Sequence, residues 1–253
     1  RMWFASIWIF TLRLPWTLGA DFFYRHLLDG DPASNTLSWR WVAGLHTRGK
    51  HYVARADNIR HYTDGRFDPS GELNEAPDPL DGPDNPPAVR LRPPMSVPPG
   101  EPVVLLVNED DLTPERWPVN SEQVNGVMLL PADDSYPGLS EQVRAFRSQA
   151  IADAAGRAER FFSCPVVRLA TAQPNEAVAL CRAHSIEKLV TAHVAVGPAR
   201  NTYDALVAGL AGSGIGAVEV RRDWDSAFWP HARAGFFKVK ERIPETLERL
   251  GLM

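Results

Sequence analysis

The chain has 253 residues, 44% of them hydrophobic, enough for one large or two small domains with a sizeable core. A net charge of −4 and a pI near 6.0 exclude a strongly basic nucleic-acid footprint over the whole molecule and leave room only for a local patch. Cys164 and Cys181 are the only cysteines; they give neither metal-ligand spacing nor a disulfide framework and point to a reducing cytoplasm.

Residues 1–75 are aromatic and read as helical. Five of the eight tryptophans fall in the first 41 residues. The chain opens on Arg1 inside what reads as a helix, so it is expected to be a piece of a longer protein. The apolar run Met2–Phe10 is too short to span a membrane and is followed by Arg13 and Pro15, so it reads as a buried helix. Trp3 and Trp8 read as core packing. A helix is expected over Ala20–Leu28, with Phe22, Phe23, Leu27 and Leu28 facing inward. Asp29-Gly30 stops it.

Residues 29–41 read DGDPASNTLSWRW. Gly30 and Pro32 hold the first part out of a helix. A helix can start near Asn35 or Thr36, capped by Ser34, Asn35 or Thr36, and run to about Leu45. Two indoles, Trp39 and Trp41, close to the paired acids Asp29 and Asp31 suggest a pocket for a flat, polar-edged ligand. Read alone, the two acids serve equally as a solvated turn or a helix cap. A short helical piece over Asn58–Arg66 and a turn at Asp64-Gly65 follow.

Residues 76–101 are dense in Pro, Asp and Gly and read as a linker. Beyond it, strands and helices alternate. Strands are expected at Val103–Val107, Gly126–Leu130, Pro165–Leu169, Leu189–Val194 and Ala217–Val220. Helices are expected at Leu139–Phe162, Asn175–His184 and Arg200–Ala211. Strands apolar on both faces and joined by helices predict a doubly wound parallel sheet over residues 102–253. A closing helix is expected over Phe228–Leu250. Gly212-Ser213-Gly214-Ile215-Gly216 follows a helix and precedes a strand, the reverse of a phosphate-cradling order, so it reads as a C-cap and turn. His184 and His193 lack partners at ligand spacing and read as structural.

The run D-G-D-P-A-S-N-x-x-S-W-R-W, with Arg1-Met2-Trp3-Phe4-Ala5-Ser6 and Leu14-Pro15-Trp16 before it and Val42-Ala43-Gly44 and Tyr52 after it, resembles the flavin-facing signature of the photolyase/cryptochrome family. The resemblance implies an all-helical part of an FAD-binding domain over residues 1–75. The sheet of residues 102–253 is similar to the α/β domain that most members carry before the flavin domain; here it follows.

For the site, the resemblance implies FAD as cofactor, with Arg1, Asp29, Asp31 and Asn35 at the ring. Asn35 would sit against the central-ring nitrogen, and Arg1 would ion-pair Asp29 and keep it charged. Trp16 and Trp39 match the inner two indoles of an electron-transfer chain. Met2 and Trp41 match residues beside a flipped DNA lesion. The implied activity is light-driven repair of pyrimidine dimers in UV-damaged DNA; the alternative is a blue-light receptor that binds FAD without repair. A monomer with no membrane segment is expected. Thr47, Arg48, Lys50, His51 and Arg55 read equally as DNA-phosphate contacts or as a solvated loop. No carboxylate lies in residues 192–197, so antenna-pigment binding is not implied. The chain by itself is expected to hold FAD weakly, its α/β part serving then as an interaction module.

Overall fold

The computed structural model describes residues 1–87, 89–131, 136–233 and 235–253. Ala88 of the predicted linker and Ala234 of the predicted closing helix lie outside the described residues. The chain divides into two compact units, Arg1–Ala88 with Gly138–Val143, and Val89–Pro137 with Arg144–Met253. Helices build the first and a parallel sheet the second, matching the expected combination of α and α/β.

In the first unit, α1 (Met2–Ser6) runs directly into a π turn, Ile7–Thr11. Asn74 Nδ2 donates to the Phe10 carbonyl at the end of that turn, 3.3 Å away. Ser6 Oγ, buried, accepts from the Ala54 N–H at 2.8 Å. Ala5, Ile9 and Phe10 enter the core of this unit with Ala20, Trp39, Val42, Ala43 and Leu45.

α2 spans Trp16–His26, earlier than expected, because Pro15 sets its start. Its inward stripe is therefore Trp16, Gly19, Ala20, Phe23 and Tyr24, at helical spacing. Phe22 falls off this stripe, and Leu28 lies beyond the helix end; both are exposed, contrary to the expected inward placing.

α3 spans Pro32–Val42 and also starts earlier than expected. Asp31 is its N-cap, its Oδ1 accepting from the Ser34 N–H at 2.6 Å. Pro32 takes the first helical turn, where a missing N–H costs nothing. The helix stops at Val42, and Gly44 turns the chain with φ 79°. α4 spans Ala56–Tyr62, followed by the turn at Asp64-Gly65.

Among the described residues, 76–101 hold no helix or strand. In the first unit the Leu80 N–H donates to the Ala43 carbonyl at 3.0 Å, and Arg48 pairs with Asp84 at 2.7 Å. In the second, Gln123 Nε2 donates to the carbonyls of Pro98 and Glu101, each at 2.8 Å. A segment with no core of its own is thus tied down by hydrogen bonds.

The second unit holds β1 (Val103–Val107), β2 (Val124–Leu129), β3 (Val166–Arg168), β4 (Lys188–Ala192) and β5 (Gly216–Val220). All pairings are parallel, in the order β3-β2-β1-β4-β5. β1 is buried throughout. Val103, Leu105 and Val107 pack with Ile151, Ala154 and Ala158 of α5 (Glu141–Phe162). Val104 and Leu106 pack with residues of α6 (Pro174–Ala183) and α7 (Pro198–Gly209) on the other face. Apolar residues on both faces are the mark of a strand covered twice. Gly212 and Gly214 adopt φ 79° and 83° in the turn after α7.

The expected closing helix over Phe228–Leu250 is broken. α8 spans Asp223–Phe228, a 3-10 turn Trp229–His231, α9 Phe236–Lys240 and α10 Ile243–Arg249. Pro230, Gly235 with φ 79° and Pro244 interrupt it. Among the described residues, no helix is long and apolar enough to cross a membrane. No group of three or more His, Cys, Asp or Glu placed to hold a metal ion occurs among the described residues.

Candidate functional site

One face of α3 carries Asp31, Ser34, Asn35, Ser38, Trp39 and Val42, spaced three and four apart. That face closes a cavity of about 220 Å³ with Arg1, Met2, Ala5, Phe23, Leu27 and Asp29. Six predicted site residues, Arg1, Met2, Asp29, Asp31, Asn35 and Trp39, therefore meet at one place.

Arg1 Nη2 donates to both carboxylate oxygens of Asp29 at 2.8 Å. This bond holds the Asp29 carboxyl below its ordinary value of 3.8. Both side chains are largely exposed, so the pair orients a negative lip more than it stabilises the fold. Asn35 Nδ2 donates to the Ala20 carbonyl of α2 at 2.8 Å. One amide donor thus pins α3 to α2, while the second donor and Oδ1 have no bond among the described residues.

Trp39 forms the apolar wall and is only 2% exposed. Its ring meets Phe23 edge-on at 5.3 Å and Trp8 at 6.4 Å and 88°. Such edge contacts are favourable packings for aromatic rings.

Trp16 and Trp41 stand elsewhere. Trp16 lines an open groove with Arg13, Pro15, Asn74 and Asp78, and among the described residues it has no ring contact with Trp39. The Arg40 guanidinium lies over its ring, 5.9 Å from the centroid. Trp41 is two residues past Trp39, on the other side of α3, half exposed and stacked on Tyr52 at 5.7 Å. Of the basic loop, Arg48 is held by Asp84 and Arg55 by Asp57, while His51 packs against Phe10 at 5.3 Å.

Ser34, Ser38 and Phe23 also line the cavity; the sequence pointed to Ser34 only as a candidate helix cap and to Phe23 only as an inward-facing residue, and to none of the three as part of the site. Helical spacing from Asn35 was the available signal for the two serines. Phe23 was expected to face inward, and it does so at this cavity.

Residues 1–75 match the family model described as the FAD binding domain of DNA photolyase. This segment is similar to photolyase FAD-binding domains. Photolyase-type sequence is also what the curated relatives share. A deoxyribodipyrimidine photo-lyase from Streptomyces griseus is 35% identical over 94 residues, 32% of this chain and 21% of that protein. Cryptochrome-1 from Arabidopsis thaliana is 34% identical over 68 residues, 27% of this chain and 10% of that protein. A deoxyribodipyrimidine photo-lyase from Alkalihalophilus pseudofirmus is 35% identical over 86 residues, 31% of this chain and 18% of that protein. The chain thus spans about a fifth or less of the length of the curated relatives it matches. No solved structure matches.

The cavity suits one end of a flavin. Carboxylates and an amide stand at its lip, and an indole and a phenyl ring form its walls. Pockets for whole drug-sized ligands run roughly 300–1,000 Å³. At about 220 Å³, this one has room for a ring system and not for a complete dinucleotide.

Proposed function

We propose that this chain supplies part of the flavin site of a photolyase-type flavoprotein that returns pyrimidine dimers in UV-damaged DNA to monomers. The observation that carries this reading is the convergence of Asp29, Asp31, Asn35 and Trp39 on one cavity, inside the segment that matches photolyase FAD-binding domains. When bound, FAD supplies blue-light absorption and one-electron chemistry.

The chain's own residues bind and orient. Arg1 keeps Asp29 ionised at the lip. Asn35, fixed by its bond to Ala20, keeps a donor and an acceptor for the polar edge of the ring. Trp39 offers a buried, electron-rich indole away from solvent. Trp41 and Tyr52 present a stacked aromatic face on which a base flipped from the duplex can lie, with Met2 exposed on the cavity side. Ionic contact with DNA would fall mainly to Lys50, since Arg48 and Arg55 already have carboxylate partners. No general acid or nucleophile is called for.

The likeness to Cryptochrome-1 supports a second reading, a blue-light receptor that uses the same site without repair. One experiment separates them. The protein, expressed from its own reading frame, is expected to carry flavin. Reduced and lit with blue light, it should remove dimers from a UV-irradiated oligonucleotide. Flavin with no loss of dimers would favour the receptor. A protein that takes up no flavin would overturn both.

A further inference from the structure

We infer that residues 81–85 form an acidic strap across a basic loop, residues 43–51, and that DNA must displace this strap before its phosphates can reach Arg48. The inference rests on the DNA-binding part of the proposed function and not on flavin.

The loop leads out of α3, and its two ends are held together. The Tyr52 N–H donates to the Val42 carbonyl at 3.1 Å, and the Trp41 and Tyr52 rings stack at 5.7 Å. Between these ends the loop carries Arg48 and Lys50, both exposed, and no acid. Cations beside an exposed aromatic face suit a nucleic-acid backbone, whose phosphates position a bound protein.

Residues 76–87 carry the opposite charge, with Asp78, Asp81 and Asp84 and no Lys or Arg. Arg48 Nη2 donates to Asp84 Oδ1 at 2.7 Å and to the Gly82 carbonyl at 3.1 Å. Asn85 adds a bridge: its Nδ2 donates to the His46 carbonyl at 3.3 Å, and its Oδ1 accepts from Arg40 Nη2 at 2.9 Å. The fit is close as well as charged, since a methyl on Gly82 would lie 2.8 Å from Leu45 Cδ2. The Asp84 carboxylate thus takes from Arg48 the charge-assisted contact that a phosphate would take. The Lys50 side chain has no partner among the described residues and stays open while the strap is in place.

One end of the strap is fixed and the rest is free to leave. Leu80 anchors it, packed on the core of the first unit with its N–H on the Ala43 carbonyl at 3.0 Å. Past Leu80 the bonds lie at the surface, and the Asp84 side chain is 96% exposed. An exposed ion pair contributes little to stability. A duplex offers many phosphates and gains by releasing their counterions, so it can displace a single carboxylate. Pro83, Pro86 and Pro87 keep the released strap extended rather than collapsed.

The test follows binding of the full chain to a fluorescein-labelled, undamaged duplex in the dark, by anisotropy at low salt, where surface charges are screened least. Asp84→Asn should tighten binding about two- to five-fold, the range open to an exposed ion pair. Asp81→Asn removes the same charge from a side chain with no partner among the described residues, and should leave binding near the parent value. In an Arg48→Gln background, Asp84→Asn should give no gain. All three side chains are exposed, so the variants should fold as the parent does. No tightening in Asp84→Asn, an equal tightening in Asp81→Asn, a gain that survives Arg48→Gln, or no binding by any variant would each overturn the inference. The expected pattern in a chain that takes up no flavin would sink the proposed function and leave the strap standing.

Discussion

Gly19 shows how one residue can set the geometry of a site. It lies in the interior of α2, where glycine costs on the order of 1 kcal/mol relative to alanine. A methyl group there would collide with the six-membered ring of Trp39 and lie 3.0 Å from Trp8 Nε1. The glycine lets α2 and α3 approach closely enough for Trp39 to wall the cavity. Gly19→Ala gains helix propensity but overpacks a filled space, which typically costs about 1–3 kcal/mol. A net loss on the order of 1 kcal/mol is expected, with a lower urea midpoint and a changed near-UV signal from Trp39. A raised midpoint would show that the helices have room to part. Nothing in the sequence announces this constraint, because the clashing partner is 20 residues away and on another helix. The separation of Trp39 from Trp41, by contrast, was legible: residues two apart on a helix point to different sides.

At the scale of the element, α3 is decided by its first residues. Asp31 accepts from Ser34 N–H, and Pro32 begins the helix. Reading Pro32 only as a breaker moved the expected start to Asn35 or Thr36. The sequence carried the right signal, an acid directly before a proline, but proline has opposite meanings at the first turn and in the interior. The consequence reaches the site, since Asp31 begins the same stripe that carries Asn35 and Trp39. Asp31→Ala should cost about 1 kcal/mol, within the usual 0.5–2 kcal/mol for a lost N-cap, and Asp31→Asn much less. Equilibrium unfolding checks it; equal effects of the two variants would mean that Asp31 does not cap. The strands were the most legible elements, because β1, apolar at every position, fits only a sheet covered on both faces. The closing helix failed for a local reason: Pro230, Gly235 and Pro244 break a stretch whose apolar spacing continues through them.

Across the whole molecule, the acids and the histidine that respond to pH fall in different units and different ranges. Asp29, Asp57 and Asp68 in the first unit are held below 3.8 chiefly by hydrogen bonds from Arg1, Arg55 and Ser70. All three are exposed, so they matter little, and only in strong acid. His193, just past β4 in the second unit, is different. Its ring meets Trp229 edge-on at 4.8 Å, and Nδ1 lies 3.5 Å from Glu219 Oε2. Arg200 of α7 already claims both oxygens of that carboxylate, at 2.8 and 2.9 Å. Burial is the main force pushing His193 below its ordinary value of 6.5; Glu219 opposes it, and Arg221, Arg92 and Arg200 reinforce it. The folded protein therefore prefers the neutral ring. The unfolded chain takes up a proton as pH falls through 6.5, while the folded chain resists until lower pH. The stability that His193 contributes is fully present above 6.5 and is lost as pH drops through its depressed folded value. Urea midpoints measured from pH 8 to pH 5 should fall on the acid side of 6.5, and His193→Gln should flatten that fall. A slope unchanged in His193→Gln would assign the acid sensitivity to another group and leave His193 as a packing residue, as its sequence context first suggested.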